Sequence, residues 1–434
     1  MNVENRTTKI EVPILARVEG EGALDLEITA GKITKCELRI YEPPRYFEKF
    51  LEGREPNEVI DAVARICGIC PLAYQAGFSN AYEAAFGVEL TPWIHDMRLL
   101  MFLGEWIESH YLHTHLLAAP DFLNYRSGIE MAKDYPNEVL RGVRLQHLGN
   151  EILKLLGGRS VHPNGMKVGG FYRAPREEEV AVLIPKLEAA LKDAKDVVEW
   201  FSQLPFPDAE VPFKMVSLRH PTEYPVFATE VITSDGETFN INDYDEHFRE
   251  FHARQSTALH STTIAGEPIL FGPLSRINLN FDRLPPHIQE MANATGIKWP
   301  SRNMFHSIIA RSIEGYWAIE RALEICRNYT YTDKPALEYT PKAANAWGAV
   351  EAPRGIQIDH VQLDERGYAT AIRISAPTSQ NLPCIEANLR SSLETFGLDK
   401  PDDELRLHAE MVIRNYDPCI SCSAHFLTLN ITRQ

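Results

Sequence analysis

The sequence predicts a mainly helical protein with small antiparallel sheets at its periphery, an α+β fold with one large helical body around a central helix bundle. Apolar residues recur at three- and four-residue steps through several long segments, which is typical of helices with one buried face. Shorter segments alternate apolar and polar residues around turn sequences, which is typical of strands. No Pro-, Gly- or Ser-rich linker interrupts the 434 residues, so we expect a single domain over residues 1–434.

The first half of the chain begins with strands and continues with helices. Residues 9–41 alternate around a Gly-containing turn and predict a small N-terminal antiparallel sheet. Residues 57–87 show a helical pattern, in which Pro71 is expected to disturb the regular turn beside a CxxC pair. Residues 92–118 predict a long helix that begins at a proline, and residues 177–203 predict another.

The second half adds a further sheet and a further long helix. Residues 213–240 contain β-branched runs and a Ser-Asp-Gly turn, which predict a small β subregion outside the helical body. Residues 301–328 predict a strong helix with Ser301 as its N-cap. Residues 360–375 predict a hairpin that turns at 365–367.

Composition excludes several classes of function. Hydrophobic residues make up 44% of the chain and charged residues 24%, which is typical of a soluble globular protein. No run of about 18 apolar residues predicts a membrane span, and the first residues lack the apolar stretch of a secretory signal, so we expect a cytoplasmic protein. The net charge of −16, without a dense basic cluster, argues against nucleic acid as a partner.

Four of the seven cysteines form two CxxC pairs, Cys67 with Cys70 and Cys419 with Cys422. Four thiolates most often bind structural zinc, and an iron-sulfur cluster is the next alternative; the cysteines alone leave both open. The pairs lie 349 positions apart (419 minus 70) in a chain with a large core, which hardly needs a metal to hold it together. The other three cysteines are expected to be structural: Cys36, Cys326 and Cys384.

The residues around these pairs resemble the two signature motifs of the large subunit of nickel-iron hydrogenases. The first motif is "RICGIC" and the second is "DPCISCSAH". Further matches occur in the family's order and span nearly the whole chain: "RVEGEG" at 17–22, "SHYLHTH" at 109–115, "GGRSVHPNGMKVGGF" at 157–171, "EAPRG" at 351–355 and "PTSQN" at 377–381. The resemblance implies the fold of that subunit and the reversible cleavage of H2 to protons and electrons.

The resemblance implies a nickel ion held by all four paired cysteines. Cys67 and Cys419 would be terminal nickel ligands, whereas Cys70 and Cys422 would bridge to an iron that carries one carbon monoxide and two cyanides. Soft thiolates suit such polarisable metals. Without the family resemblance, the same cysteines would predict a structural zinc protein, which is the alternative from another class. A relative that has lost its metal is a further alternative, against which both intact pairs argue.

The resemblance also implies roles for residues around the metals. Glu19 matches the carboxylate that takes a proton from a terminal cysteine, and Arg354 matches the arginine over the open face of the metals. Thr378 matches the hydroxyl that hydrogen-bonds one cyanide. A further set would form the apolar wall around the diatomic ligands: Ala352, Pro353, Ala376 and Pro377.

A second metal, magnesium or iron, is implied near the C-terminus. Glu48, the carbonyl of Ile374 and His425 hold the matching positions. The family's precursors are cut after the residue that matches His425, so residues 426–434 are expected to be a peptide that a maturation protease removes.

Some positions favour one branch of the family. Tyr74, Glu21 and Gln380 replace residues common elsewhere, and "PLAYQ" and "PTSQN" resemble the soluble branch coupled to NAD(P), which includes sulfhydrogenases. The chain has no further cysteine set for a cluster relay and no GxGxxG. The resemblance therefore implies two partners, a small iron-sulfur subunit together with a flavin subunit that binds NAD(P). Coupling to the deazaflavin F420, or to sulfur reduction, is the alternative.

Two assignments stay open at this point. Glu105 and Glu108 are both candidates for the acid that pairs with Arg354. The histidines of "SHYLHTH", at 110, 113 and 115, lie on a predicted helix, where internal hydrogen bonding is at least as good an explanation as proton transport.

Overall fold

Long helices form the centre of the chain, which the computed structural model describes from residue 7 to residue 425. The predicted maturation peptide, residues 426–434, lies outside this range. Along residues 7–425, no helix combines the length and the apolarity that crossing a membrane would require.

The described residues contain these α-helices: α1 (Phe47–Leu51), α2 (Pro56–Val63), α3 (Pro71–Phe86), α4 (Pro92–Leu112), α5 (Ala119–Phe122), α6 (Gly128–Met131), α7 (Pro136–Gly157), α8 (Glu177–Ala181), α9 (Ile184–Ser202), α10 (Tyr244–His247), α11 (Pro273–Asn280), α12 (Pro286–Ala294), α13 (Ser307–Arg327), α14 (Pro377–Phe396), α15 (Asp402–Asn415) and α16 (Ile420–Ser423). The strands are β1 (Thr7–Val12), β2 (Gly22–Thr29), β3 (Lys32–Ile40), β4 (Met166–Lys167), β5 (Gly170–Phe171), β6 (Lys214–Arg219), β7 (Glu230–Thr233), β8 (Thr238–Asn240), β9 (Phe248–His252), β10 (Leu259–Thr263), β11 (Ile269–Leu270), β12 (Ala344–Ala352), β13 (Gly355–Leu363) and β14 (Ala369–Ser375).

The central bundle is built on α4. This helix packs against α7 and α13, and α9 also packs against α13. Trp106, in the middle of α4, is fully buried, and its ring lies 5.8 Å from that of Trp317 on α13. Thr91 caps α4 through a hydrogen bond from Ile94 N, and His113–Ala118 continue the helix as a π-helical turn. The long helix predicted over residues 92–118 is therefore confirmed, with a wider last turn.

The small sheets lie around this bundle, as the sequence predicts. Strands β1, β2 and β3 form an antiparallel sheet, and β6, β7 and β8 form a second sheet to which β11 adds in parallel. Strands β12, β13 and β14 form a third antiparallel sheet, which packs against α3. The packing is close enough that a Cβ on Gly348 would lie 2.0 Å from the carbonyl oxygen of Gly77. This close approach sets α3 directly beside the sheet.

Three local predictions are wrong in detail. Pro71 does not disturb a helix but begins α3, since the first position of a helix needs no N–H. Residues 177–203 form two helices, because Pro185 cannot donate to the carbonyl of Ala181 and α8 ends there. Ser301 does not cap α13, which begins at Ser307 after a short 3₁₀ turn that Asn303 caps.

Candidate metal centre

The two cysteine pairs, far apart in the sequence, meet in one buried place. Cys70 directly precedes α3, and Cys419 directly precedes α16. The sulfur of Cys67 lies 3.4 Å from that of Cys419, and the sulfur of Cys70 lies 3.3 Å from that of Cys422. All four sulfurs lie within 4.8 Å of one another. The arrangement provides four converging soft donors, as one metal centre requires.

The protonation of these thiols shows why a cation fits between them. Hydrogen bonds from the neighbouring sulfurs, Cys419 first, hold the pKa of Cys67 well below its usual range. Burial, followed by the neighbouring sulfurs, raises the pKa of Cys419 well above its usual range. Four thiolates so close together repel one another in a dry site unless positive charge lies among them. The donor set therefore fits a metal cation, nickel included, that holds all four sulfurs ionised.

Arg354 lies beside the sulfurs and is held by Asp417, which begins the "DPCISCSAH" motif but received no role in the sequence analysis. Its Nε donates to the carbonyl oxygen of Asp417 at 2.7 Å, and its Nη2 donates to Asp417 Oδ1 at 3.1 Å. Both side chains are buried, and Asp417 has a left-handed backbone with φ 55°. Burial alone would lower the pKa of Arg354, but Asp417 and the cysteines raise it well above its usual value, so the guanidinium stays charged.

The assignment of Glu105 or Glu108 as the partner of Arg354 is wrong. Glu105 accepts a hydrogen bond from Leu72 N at 2.7 Å, and Glu108 accepts one from Gln146 at 3.1 Å. The Nη1 group of Arg354 is buried and has no hydrogen-bond partner in the described part of the chain. An unpartnered charged donor beside four sulfurs fits an acceptor such as a metal-bound cyanide.

A small cavity adjoins the sulfurs, and its wall is mainly apolar. The residues that line it are Cys70, Ala73, Ala352, Pro353, Arg354, Gln357, Pro377, Thr378, Cys419 and Cys422. The hydroxyl oxygen of Thr378 accepts a hydrogen bond from Cys419 N at 3.0 Å, which leaves its own proton to donate elsewhere. Ala376 is buried at the start of α14 but does not belong to this lining. Most of the predicted wall therefore lies at the cavity.

Two lining residues were missed by sequence analysis. Ala73 lies one helical turn after Cys70 on α3, so the spacing of three residues could have identified it. Gln357 lies on β13, and its amide donates to Asp359 at 2.8 Å. No local signal marks Gln357, because its position depends on how β13 packs against α3.

Glu19 connects the sulfurs to the outer part of the protein. Its Oε2 lies 3.1 Å from the sulfur of Cys419 and accepts a hydrogen bond from Ser421 N at 3.0 Å. Its carbonyl oxygen accepts from Ile420 N at 3.0 Å, so backbone and side chain both fix it against the second CxxC pair. Glu19 is half-buried, whereas Cys419 is buried. A carboxylate in this position can receive a proton from the thiol and release it outward.

The three residues of the second predicted metal site lie together. His425 Nε2 lies 2.9 Å from Glu48 Oε2, and Ile374 N donates to Glu48 Oε1 at 2.8 Å. These three residues line a second small cavity, to which Cys422 also contributes. The carboxylate and the backbone carbonyl provide oxygen donors, and the imidazole provides a nitrogen donor, next to Cys422.

The histidines of the "SHYLHTH" segment are buried and form hydrogen bonds within the protein. His110 contacts Glu314 at 3.0 Å, and His113 contacts the carbonyl oxygen of Arg414 at 2.7 Å. His115 contacts the hydroxyl of Thr114 at 3.0 Å. Burial lowers the pKa of His110 to about 4 and that of His113 and His115 to about 3, so all three are neutral at pH 7. Internal hydrogen bonding explains them better than proton transport.

The three positions that depart from the commoner family pattern differ in their surroundings. Tyr74 is fully buried on α3, and burial raises its pKa well above its usual value. The Gln380 amide donates to the carbonyl oxygens of Ile356 and Ser375, at 2.9 and 3.0 Å, which joins α14 to the third sheet. Glu21 is exposed.

Comparison with known proteins gives consistent matches over the chain. A family model described as nickel-dependent hydrogenase matches residues 45–142. The alpha chain of sulfhydrogenase 1 from Pyrococcus furiosus is 31% identical over 98% of this chain and 100% of its own. The alpha chain of the coenzyme F420 hydrogenase from Methanocaldococcus jannaschii is 27% identical over 98% of this chain and 96% of its own.

Solved structures match the fold over almost the whole length. An NAD+-reducing NiFe-hydrogenase in the H2-reduced state superposes with a TM-score of 0.89 at 24% identity, covering 97% of this chain and 100% of that chain. A Ni-Fe-Se hydrogenase from D. vulgaris Hildenborough superposes with a TM-score of 0.79 at 20% identity, also over 97% of this chain. These matches confirm the predicted fold.

Proposed function

Because the chain belongs to the nickel-dependent hydrogenase family and is a hydrogenase catalytic subunit, we propose that it passes electrons from H2 through a small iron-sulfur subunit to NAD or NADP. The catalytic part of this proposal rests on the group of four buried sulfurs, one of which is hydrogen-bonded to Glu19. Coupling to NAD(P) is supported by the segments "PLAYQ" and "PTSQN", which resemble the cofactor-coupled branch.

The proposal assigns each cysteine a place at the centre. Cys67 and Cys419 would hold nickel as terminal ligands, and Cys70 and Cys422 would hold both nickel and an iron that carries one carbon monoxide and two cyanides. When bound, this centre supplies the heterolytic splitting of H2. The chain supplies an apolar cavity with two donors, the Nη1 of Arg354 and the hydroxyl of Thr378, to which cyanide nitrogens can bind.

Glu19 is assigned the first proton transfer. The sulfur of Cys419 lies 3.1 Å from Glu19 Oε2, within the heavy-atom reach that direct transfer of a thiol proton requires. Ser421 N donates to the same carboxylate oxygen and fixes its orientation. Arg354 stays charged beside Asp417 and contributes an electrostatic field at the cavity without itself exchanging a proton.

Glu48, His425 and the carbonyl of Ile374 are proposed to bind magnesium, or iron, next to the bridging cysteine. The change Glu48→Gln removes the anionic donor at almost constant shape, so the purified protein is expected to lose most of this metal. The matched control is Glu52→Gln, just after the same helix, where the carboxylate pairs with Lys49 instead. Elemental analysis checks the result; full magnesium and iron content in Glu48→Gln would remove the site from the proposal.

The proposed partners follow from what the chain does not carry. The described residues contain one group of three or more Cys, His, Asp or Glu side chains close enough to hold a metal, namely the four cysteines. Electrons must therefore leave through clusters on another chain, for which we propose the small subunit, followed by a flavin subunit that binds NAD(P). We further propose a cytoplasmic single-domain chain from which a maturation protease removes residues 426–434.

Sulfur reduction is a second candidate for the acceptor reaction. The alpha chains of sulfhydrogenase 1 and sulfhydrogenase 2 from Pyrococcus furiosus are 31% and 30% identical to this chain, each over 97% or more of it. Both candidates use the same cysteine centre, so they differ only in the partner subunits and the final acceptor.

The complex purified without oxygen tests this function. We expect about one nickel per chain, infrared bands of metal-bound carbon monoxide and cyanide, and reduction of NAD or NADP that depends on H2. Polysulfide reduction without NAD(P) reduction would favour the second candidate. A protein that contains zinc alone and shows no such infrared bands would overturn the catalytic assignment.

A further inference from the structure

A second buried arginine, Arg276 on α11, holds the segment that carries Arg354. Its Nη1 donates to the carbonyl oxygen of Ala352 at 2.6 Å, and its Nη2 donates to the carbonyl oxygen of Pro353 at 3.2 Å. The side chain of Arg276 is fully buried. One guanidinium therefore binds the two carbonyls immediately before Arg354.

The shape of this segment shows where such contacts act. Strands β12 and β13 pair as far as Ala352 with Gly355, so Pro353 and Arg354 form a two-residue hairpin turn. The common two-residue turns need positive φ at the first turn residue, which a proline ring forbids. Arg354 also has no positive φ. The turn is therefore not one of the two primed types, and Gly355 directly after it has φ 139°. The contacts from Arg276 add to those that define its geometry.

Carboxylates on two other elements fix Arg276 in place. Glu314 on α13 accepts from Nε and from Nη2, both at 2.8 Å, and Glu351 accepts from Nη1 at 2.9 Å. Burial alone would raise the pKa of Glu314, but Arg276 outweighs it and holds the pKa at about 2. The guanidinium also stacks on the ring of Trp106, 4.4 Å from its centroid.

The carboxylates are themselves fixed by polar neighbours. Tyr224 donates to Glu314 at 2.7 Å, and His110 contacts its other oxygen at 3.0 Å. Ser217 and Leu218 N donate to Glu351 at 2.8 and 2.7 Å. This gives His110 of the "SHYLHTH" segment a structural role in a network that ends at the hairpin turn.

We infer that Arg276 is a positioning residue that sets the place of the Arg354 guanidinium over the metal cavity by holding the Ala352–Pro353 carbonyls. The inference rests on the proposed function for its effect on catalysis. Its structural part, a turn held by Arg276, does not depend on the metal. A lysine at 276 keeps the charge but provides one nitrogen, which cannot reach both carbonyls and both carboxylates.

The change Arg276→Lys in the complete complex tests this role. Misplacement of Arg354 is expected to lower kcat for H2 oxidation by about 10- to 100-fold at little change in KM. The infrared bands of bound cyanide should shift while nickel content stays at the parental level. In the metal-free chain, amide hydrogen exchange in a peptide over residues 350–358 should become faster.

The matched control is Arg98→Lys. Arg98 is equally buried, and it forms a two-fold pair with Glu83 and a hydrogen bond to the carbonyl oxygen of Lys167, both outside the hairpin. The Arg98→Lys variant should leave the infrared cyanide bands and the amide hydrogen exchange of residues 350–358 unchanged. If Arg276→Lys does not fold, the double change Arg276→Gln with Glu314→Gln keeps the net charge and is measured in the same way.

The outcomes separate the two proposals. Parental cyanide bands, kcat and exchange in folded Arg276→Lys would overturn the positioning role, as would equal changes in Arg98→Lys. Missing cyanide bands in the parental complex would overturn the proposed function instead, and faster exchange of the hairpin in Arg276→Lys would still support the structural part.

Discussion

Replacement of Cys419 by alanine is expected to remove nickel and hydrogenase activity together. The Cys419 sulfur lies 3.4 Å from that of Cys67 and contacts Glu19, so it takes part in both the proposed metal centre and the proposed proton path. Loss of an outer-shell partner alone typically lowers metal affinity or activity by about 10- to 100-fold, and loss of a direct ligand should cost more. Elemental analysis and H2 oxidation by the purified complex check this result.

Cys326→Ala is the matched control for this change. Cys326 is buried near the end of α13, and burial raises its pKa to about 12, so it behaves as a small hydrophobic residue. This variant should keep full nickel and activity, with a stability loss of about 1 kcal/mol. Parental nickel content in Cys419→Ala would contradict the four-sulfur centre.

The parts of this site that could be predicted from the sequence are those that short segments carry. The "RICGIC" and "DPCISCSAH" segments contain all four sulfurs. The only further condition was that the C-terminal segment fold back against the N-terminal one. Glu19 was identified in the same way, because "RVEGEG" is a local motif. The structure adds the physical link, a backbone bridge between Glu19 and Cys419.

The parts that could not be predicted depend on contacts between distant elements. Asp417 is 63 residues from Arg354, and its role depends on a left-handed backbone that brings it against the hairpin turn. The choice between Glu105 and Glu108 failed because both lie on α4, where each already accepts another hydrogen bond. The role of Arg276 could not be predicted, because the sequence around it does not indicate which carbonyl oxygens its guanidinium contacts in the folded chain.

The change Glu19→Gln is expected to separate metal binding from proton transfer. The amide keeps the size of the carboxylate and can still accept from Ser421 N, so the cysteine centre should assemble with normal nickel content. An amide cannot take up the proton of Cys419, and loss of a positioned proton acceptor typically lowers the rate by about 10²- to 10⁴-fold. Exchange between H2 and D+ measures this step directly, without the electron-transfer partners.

Glu21→Gln is the control for Glu19→Gln, because Glu21 lies two residues further along and is exposed. The same removal of one negative charge at Glu21 leaves the Cys419 sulfur with its carboxylate partner, so H2/D+ exchange should stay at the parental rate. If exchange were equally slow in both variants, the cause would be the general loss of negative charge near the cavity. Unimpaired exchange in Glu19→Gln would require another proton acceptor for Cys419, and the relay through Glu19 would be wrong.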